Sequence, residues 1–280
     1  MKPKKSLGQN FLKDQVVLKK IIEAADLSSD DLVVEVGPGE GVLTRELVKK
    51  AKEVIGIEKD GALAEKLVNN FQFSIFTWKS ISNDPILNFK NKAAIISADI
   101  LKVNLPEIIK QNSFLNYKVI ANIPYYITSP IIQLFLETEI PPTEMILMVQ
   151  KEVAQRICAK PGEMSILAVS VQYYAKAELL FNVDKKSFYP VPEVDSAVIK
   201  ISVNRNKRTV INKEETKKFF RVVKAGFSSR RKTLLNNLAN SFHLPKNETE
   251  EKIKKAGIDP TSRAQDLSVD DWKKLSELFA

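Results

Sequence analysis

The chain has 280 residues, 44% hydrophobic and 28% charged, enough for one large core and a smaller appended module. No apolar run reaches the roughly 20 residues of a membrane span, and the opening MKPKKSLGQNFLKDQ lacks the apolar stretch of a secretory signal. A lone cysteine, Cys158, excludes an internal disulfide and fits the cytoplasm, while a formal charge of +9 favours a polyanionic partner.

Residues from about 15 to 26 carry the apolar spacing of an amphipathic helix. LVVEVG then reads as a buried strand, because Val33, Val34 and Val36 favour extended backbone. GPGEG interrupts it, VLTRELVKKA restores helical periodicity, and EVIGIEKD with GALAEKLVNN repeats the strand and helix. FSIFTWKSISNDPILNFKNK, from about 71 to 92, reads as an irregular excursion. AAIISADI, KVIANI, a helix from about Ser129 to Glu137 and EMILMVQ continue the alternation. AELLFNV and SAVIKISV end it as a hairpin-like pair at a sheet edge. Such alternation predicts an α/β fold with a parallel sheet.

After Asn204 the polar NRNKR reads as a linker, and only helical patterns follow: EETKKFFRVVKAGF, RRKTLLNNLANSF, TEEKIKKAG and VDDWKKLSELF. The expected division is therefore residues 1–204, with a basic segment at 1–14, and a small helical domain at 205–280. Basic residues crowd the stretch from Arg205 to Lys232, where only Glu214 and Glu215 oppose them.

GPGEG sits between a strand and a helix, where Gly37, Gly39 and Gly41 let backbone approach a ligand. Glu58 ends the next strand, where a carboxylate can accept both hydroxyls of a ribose. Position 42 is Val, so the G-x-G-x-x-G dinucleotide pattern is absent, and the pair points to S-adenosyl-L-methionine. Asp99, at the end of the following strand, either accepts from an adenine amino group or caps the turn after it.

IANIPYYITSP closes the next strand with an asparagine, a proline and two aromatics. An exocyclic base amine is a poor nucleophile because its lone pair is delocalised into the ring. Two acceptors on its hydrogens localise that pair, and the Asn122 carboxamide oxygen and the Pro124 carbonyl are placed to serve. Tyr125 offers a face for the flipped base, worth about 1–3 kcal/mol. An ordinary turn is the competing reading of NIPY alone. His243, the single histidine, lies far in sequence from these motifs, so neither a histidine triad nor a metal site is expected.

GQNFLKD, EVGPGEGVLT, GIEKD, ADI, NIPYYITSP, MVQKEVAQRI, SFYPVPEVDSAV, FSSRRKTLLNNL and GIDPTSRAQDLS occur in that order over almost the whole chain. Together they resemble the KsgA-type ribosomal RNA small-subunit (16S) adenine N6-dimethyltransferases. The resemblance implies a Rossmann-like class I methyltransferase sheet with a small all-α C-terminal domain. It implies dimethylation of two adjacent adenosines in the 3′-terminal hairpin of small-subunit rRNA, on the rRNA or on a pre-ribosomal small subunit, by a monomer with no membrane partner. Asn10 and Leu12 would line the cofactor site with Gly37, Gly39, Glu58, Asp99 and Asn122. Phe188 of SFYPVP would pack on the target base opposite Tyr125, offsetting the cost of flipping.

Arg230, Arg231 and Lys232 would stand near a helix start, where a bound phosphate relieves their conflict with the helix dipole. NIPY is shared with Erm-type large-subunit rRNA methyltransferases, and the helical C-terminal motifs favour the small-subunit enzymes. A ribosome-assembly factor of the same fold without turnover is the remaining alternative.

Overall fold

The computed structural model describes residues 3–4, 7–114, 116–203 and 213–279. The expected NRNKR linker falls at 204–208, outside the described residues. The strands, in chain order, are β1 (Phe11–Leu12), β2 (Leu32–Val36), β3 (Glu53–Glu58), β4 (Ser74–Thr77), β5 (Ala93–Ser97), β6 (Tyr117–Asn122), β7 (Glu144–Gln150), β8 (Ala175–Val183), β9 (Phe188–Tyr189) and β10 (Ser196–Val203).

Eight of these form one sheet in the order β4-β5-β3-β2-β6-β7-β10-β8. The pairings from β4 through to β7 are parallel, and β10 joins β7 antiparallel with Ser196 opposite Gln150. β2 is buried along its whole length, as a strand covered on both faces must be. From β2 the chain moves outward to β3 and the edge, then returns to β6 on the other side of β2. That reversal opens a crevice at the carboxyl ends of β2 and β6, the usual ligand position in open α/β sheets.

The excursion at 71–92 is more regular than its sequence suggests. It contributes β4, which extends the parallel sheet beyond β5, and a short helix, Trp78–Asn83, opened by a Thr77–Ser80 capping box. β4 lies at the edge and leaves Ile75 42% exposed, so its apolar residues show no buried run that would mark it as a strand.

The chain folds as two compact units. The first takes in residues up to Ala154 together with Ala177–Val203, and the second joins Gln155–Lys176 to the C-terminal part. The first unit ends at Val203, next to the expected 204/205 boundary, whereas Gln155–Lys176, which the expected division gave to the first domain, belongs to the second unit. Within that segment the helix Ile166–Tyr174 packs Ala168 and Val169 with Phe219, Val222, Leu234, Leu238, Ile253, Trp272 and Leu275, the core of the second unit. The helices Lys213–Gly226, Leu234–Phe242, Lys246–Lys255 and Val269–Leu278 complete that unit. Among the described residues no helix is long and apolar enough to cross a membrane.

Candidate functional site

The crevice forms a cavity walled by the N-terminal segment Leu7–Leu12, the glycine loop, Glu58, Asp99 and the tip from Asn122 to Ile127. Gly37 has φ +69, and a Cβ built on it meets nothing within 4 Å, so its backbone borders open space. Gly39, φ +59, differs. A Cβ there would come to 3.0 Å from the Phe11 ring, so this glycine admits a packed side chain of the N-terminal segment.

Glu58, 6% exposed, is held by two backbone donors: the Gly39 N–H on Oε2 at 2.9 Å and the Asp60 N–H on Oε1 at 2.8 Å. Each oxygen keeps a lone pair for a further donor. Burial raises its pKa, opposed by these N–H groups and reinforced by the neighbouring Asp60 charge. Asp99 occupies both places the sequence offered: it lines the cavity, and it caps the turn after β5 by accepting the Leu101 N–H at 3.1 Å. Burial would raise its carboxyl, but Lys59, paired to it at 2.9 Å, and the Leu101 N–H hold it below the usual carboxylate range.

Glu35, on β2, also reaches this wall. It is 2% exposed, and burial pushes its carboxyl up to about 8, aided by the Glu58 charge and partly offset by Thr44. Neither its Oε2 nor the Thr44 hydroxyl has a hydrogen-bond partner among the described residues. Sequence reasoning passed over Glu35 because an acidic residue inside a valine strand carries no spacing signal.

Asn122 ends β6, and its Nδ2 donates to the Asn10 carbonyl oxygen at 3.0 Å. That contact fixes the nitrogen end of the carboxamide toward Asn10 and leaves Oδ1, the acceptor, on the other side. The Pro124 carbonyl accepts the Ile127 N–H at 3.1 Å, within the single turn Tyr125–Ile127, and keeps its second lone pair. Tyr125 is half-buried at the cavity wall, its hydroxyl 2.7 Å from Ser196 Oγ, and burial raises its pKa. The cavity thus brings together Asn10, Leu12, Gly37, Gly39, Glu58, Asp99, Asn122, Pro124 and Tyr125.

Phe188 is the exception, outside the lining of this cavity. Its ring is 3% exposed in the core, beside Leu12, which it faces across the β1–β9 pair. Successive side chains of a strand point to opposite sides, so the outward residue of this segment is Tyr189, 61% exposed.

The N-terminal segment is fastened over the site by contacts the sequence did not announce. Lys4 Nζ and Gln9 Nε2 reach Asp60 at 2.8 and 3.2 Å, and Lys13 Nζ reaches Glu40 at 2.6 Å. Lys4 and Gln9 hold the Asp60 carboxyl below its usual value, against the effect of burial. The only hint was a basic opening stretch.

In the second unit, Arg230, Arg231 and Lys232 are exposed on the turn before the helix Leu234–Phe242. Buried Asn237 shapes that turn, its Nδ2 donating to the Gly226 carbonyl at 2.6 Å and the Ser229 carbonyl at 2.9 Å. Among the described residues no group of three or more His, Cys, Asp or Glu could hold a metal.

A family model described as ribosomal RNA adenine dimethylase matches residues 1–280. A curated protein of Dehalococcoides mccartyi, ribosomal RNA small subunit methyltransferase A, is 44% identical over 280 residues, covering 100% of this chain and 89% of its own. Among solved structures, a dimethyladenosine transferase from Plasmodium falciparum is similar with a TM-score of 0.73 and 26% identity, over 95% of each chain. The 23S rRNA methyltransferase ErmE is similar with a TM-score of 0.72 and 26% identity, over 96% of this chain and 99% of its own.

Proposed function

The chain belongs to the ribosomal RNA adenine dimethylase family, and on that premise we propose that it is an S-adenosylmethionine-dependent rRNA methyltransferase that dimethylates N6 of two adjacent adenosines in the 3′-terminal hairpin of small-subunit rRNA. The observation that carries this reading is the Asn122 carboxamide, oriented by its Nδ2 donating to the Asn10 carbonyl so that its oxygen is free to accept from an amine.

The residues present fit S-adenosylmethionine. The open space above Gly37 lets a ligand lie against the glycine-loop backbone, beside the Glu58 carboxylate. Glu58 would take the ribose hydroxyls on its two remaining lone pairs, Asp99 the adenine amino group, and Asn10 and Leu12 would border the rest. When bound, the cofactor supplies a methyl on a cationic sulfur, an electrophile that asks little general-base help of the protein.

The chain's own part is positioning. Asn122 Oδ1 and the Pro124 carbonyl accept the two amine hydrogens, which turns the nitrogen lone pair out of conjugation. Tyr125, braced by Ser196, presents its ring to the flipped base. The N-terminal segment, tied down through Asp60 and Glu40, forms one wall of the cavity.

Arg230, Arg231 and Lys232 would bind RNA phosphates from the helical unit, with recognition through RNA shape and splayed loop bases. That grip predicts affinity falling as salt rises, and affinity unchanged between low and moderate salt would exclude it. The protein would act as a monomer in the cytoplasm, where its substrate particle is assembled.

The similarity to ErmE supports one rival, methylation of the large subunit. Incubating the protein with labelled cofactor and each purified subunit separates the two. Label is expected on the small subunit, and label confined to the large subunit would overturn the assignment.

A further inference from the structure

Two tyrosines stand side by side at the tip of β6, and the structure treats them differently. Tyr125 is half-buried and anchored through its hydroxyl to Ser196. Tyr126 is 53% exposed at the same cavity. Of the large hydrophobic residues exposed among the described ones, Tyr126 and Tyr189 are the aromatic pair, and Tyr126 is the one that lines the cavity. Its ring is also held in place. Gly8 has φ +58, and a Cβ there would fall 3.1 Å from Tyr126 Cδ1 and 3.3 Å from Cε1, so the N-terminal backbone lies directly against the ring. Lys59, half-exposed and paired with Asp99, adds a cation close to the phenol.

We propose that Tyr126 is a second stacking platform, receiving the nucleotide next to the adenosine being methylated. The inference rests on the adenosine-dimethylation reading above. Drawing one base into a pocket strips a stacking face from its neighbour, and a ring at the pocket mouth restores it. Here the neighbour is itself a target purine, so the same platform serves whichever of the two is outside. A ring already braced by backbone loses little freedom on binding. Tyr125 takes the base inside and Tyr126 the base outside, set one residue apart on a single turn.

The test uses the full-length protein and a small-subunit hairpin RNA carrying 2-aminopurine next to the target adenosine. Stacked on a ring, 2-aminopurine stays quenched in the complex. Wild type, Tyr126→Phe and Tyr126→Trp are expected to keep the quench. Tyr126→Leu, which retains an apolar contact for Gly8, and Tyr126→Ala are expected to lose it and to bind RNA about five- to hundredfold more weakly. Cofactor affinity, measured by calorimetry, is expected to be unchanged in all four variants and reports an intact site. Quenching and RNA affinity equal to wild type in Tyr126→Leu and Tyr126→Ala would overturn the platform while leaving the enzyme's function standing. Damage in Tyr126→Phe equal to that in Tyr126→Ala would also overturn it, by assigning the effect to the hydroxyl. Wild type that methylates neither adenosine of the unmodified hairpin on the small subunit would overturn the functional reading and the platform with it.

Discussion

Asn122 Nδ2 donates to the main-chain carbonyl of Asn10 at 3.0 Å, across 112 residues of sequence. One hydrogen bond therefore joins the tip that would meet the base to the segment that borders the cofactor space, and it fixes which end of the carboxamide faces in. Asn122→Asp keeps an acceptor but sets an anionic oxygen against the Asn10 carbonyl. We expect kcat to fall about a hundredfold or more, as read by single-turnover methylation at saturating cofactor. Turnover of Asn122→Asp within a few-fold of wild type would show that the carboxamide's orientation is immaterial.

Glu58 accepts two buried backbone N–H groups and keeps capacity for two more donors. Glu58→Ala should weaken S-adenosylmethionine binding by ~1.5–3 kcal/mol, on the order of ten- to a hundredfold. Titration calorimetry with the variant checks this, and an unaltered affinity would remove Glu58 from the cofactor site.

Glu35 makes stability depend on pH. Its pKa stands at about 8 in the folded chain against an ordinary 4.5, so between those values the folded state holds more protons than the unfolded one. Stability then falls as pH rises through that window, by about 1.4 kcal/mol for each unit of displacement. Glu58, also raised, acts in the same direction. Glu35→Gln should flatten the decline in denaturant midpoint between pH 5 and pH 8. A slope equal to wild type would show that the carboxyl is not held protonated.

Much of the sheet could be read from the chain. β2, β3, β5, β6 and β7 are apolar runs that alternate with helical patterns, which predicts the parallel α/β sheet, while the Rossmann-like class I arrangement comes from the family resemblance. β4 escaped because an edge strand half open to solvent needs no buried run. The expected 1–204 domain takes in the helix Ile166–Tyr174, since its apolar residues match a sheet core and a helical core equally well. At the site, residues at strand ends were legible because position alone confers their role. Asp60, Gln9 and Lys4 were not, because their meaning arises only when the N-terminal segment returns to the helix that starts at Gly61.

Phe188 has two readings, a core ring and a face for the base. Its ring belongs to the core in this structure, so Phe188→Ala should cost about 3–5 kcal/mol of stability. Phe188→Leu should keep both fold and methylation within a few-fold. Turnover abolished in the leucine variant at unchanged melting temperature would instead return the ring to the base.

The most direct test is mass analysis of rRNA after purified small subunits are incubated with S-adenosylmethionine and either wild type or Asn122→Ala. Wild type should add four methyl groups, two on each of two adjacent adenosines of the 3′-terminal hairpin. The variant should add none while still binding the subunit. Methyl groups elsewhere, or dimethyladenosine formed by the variant, would contradict the account.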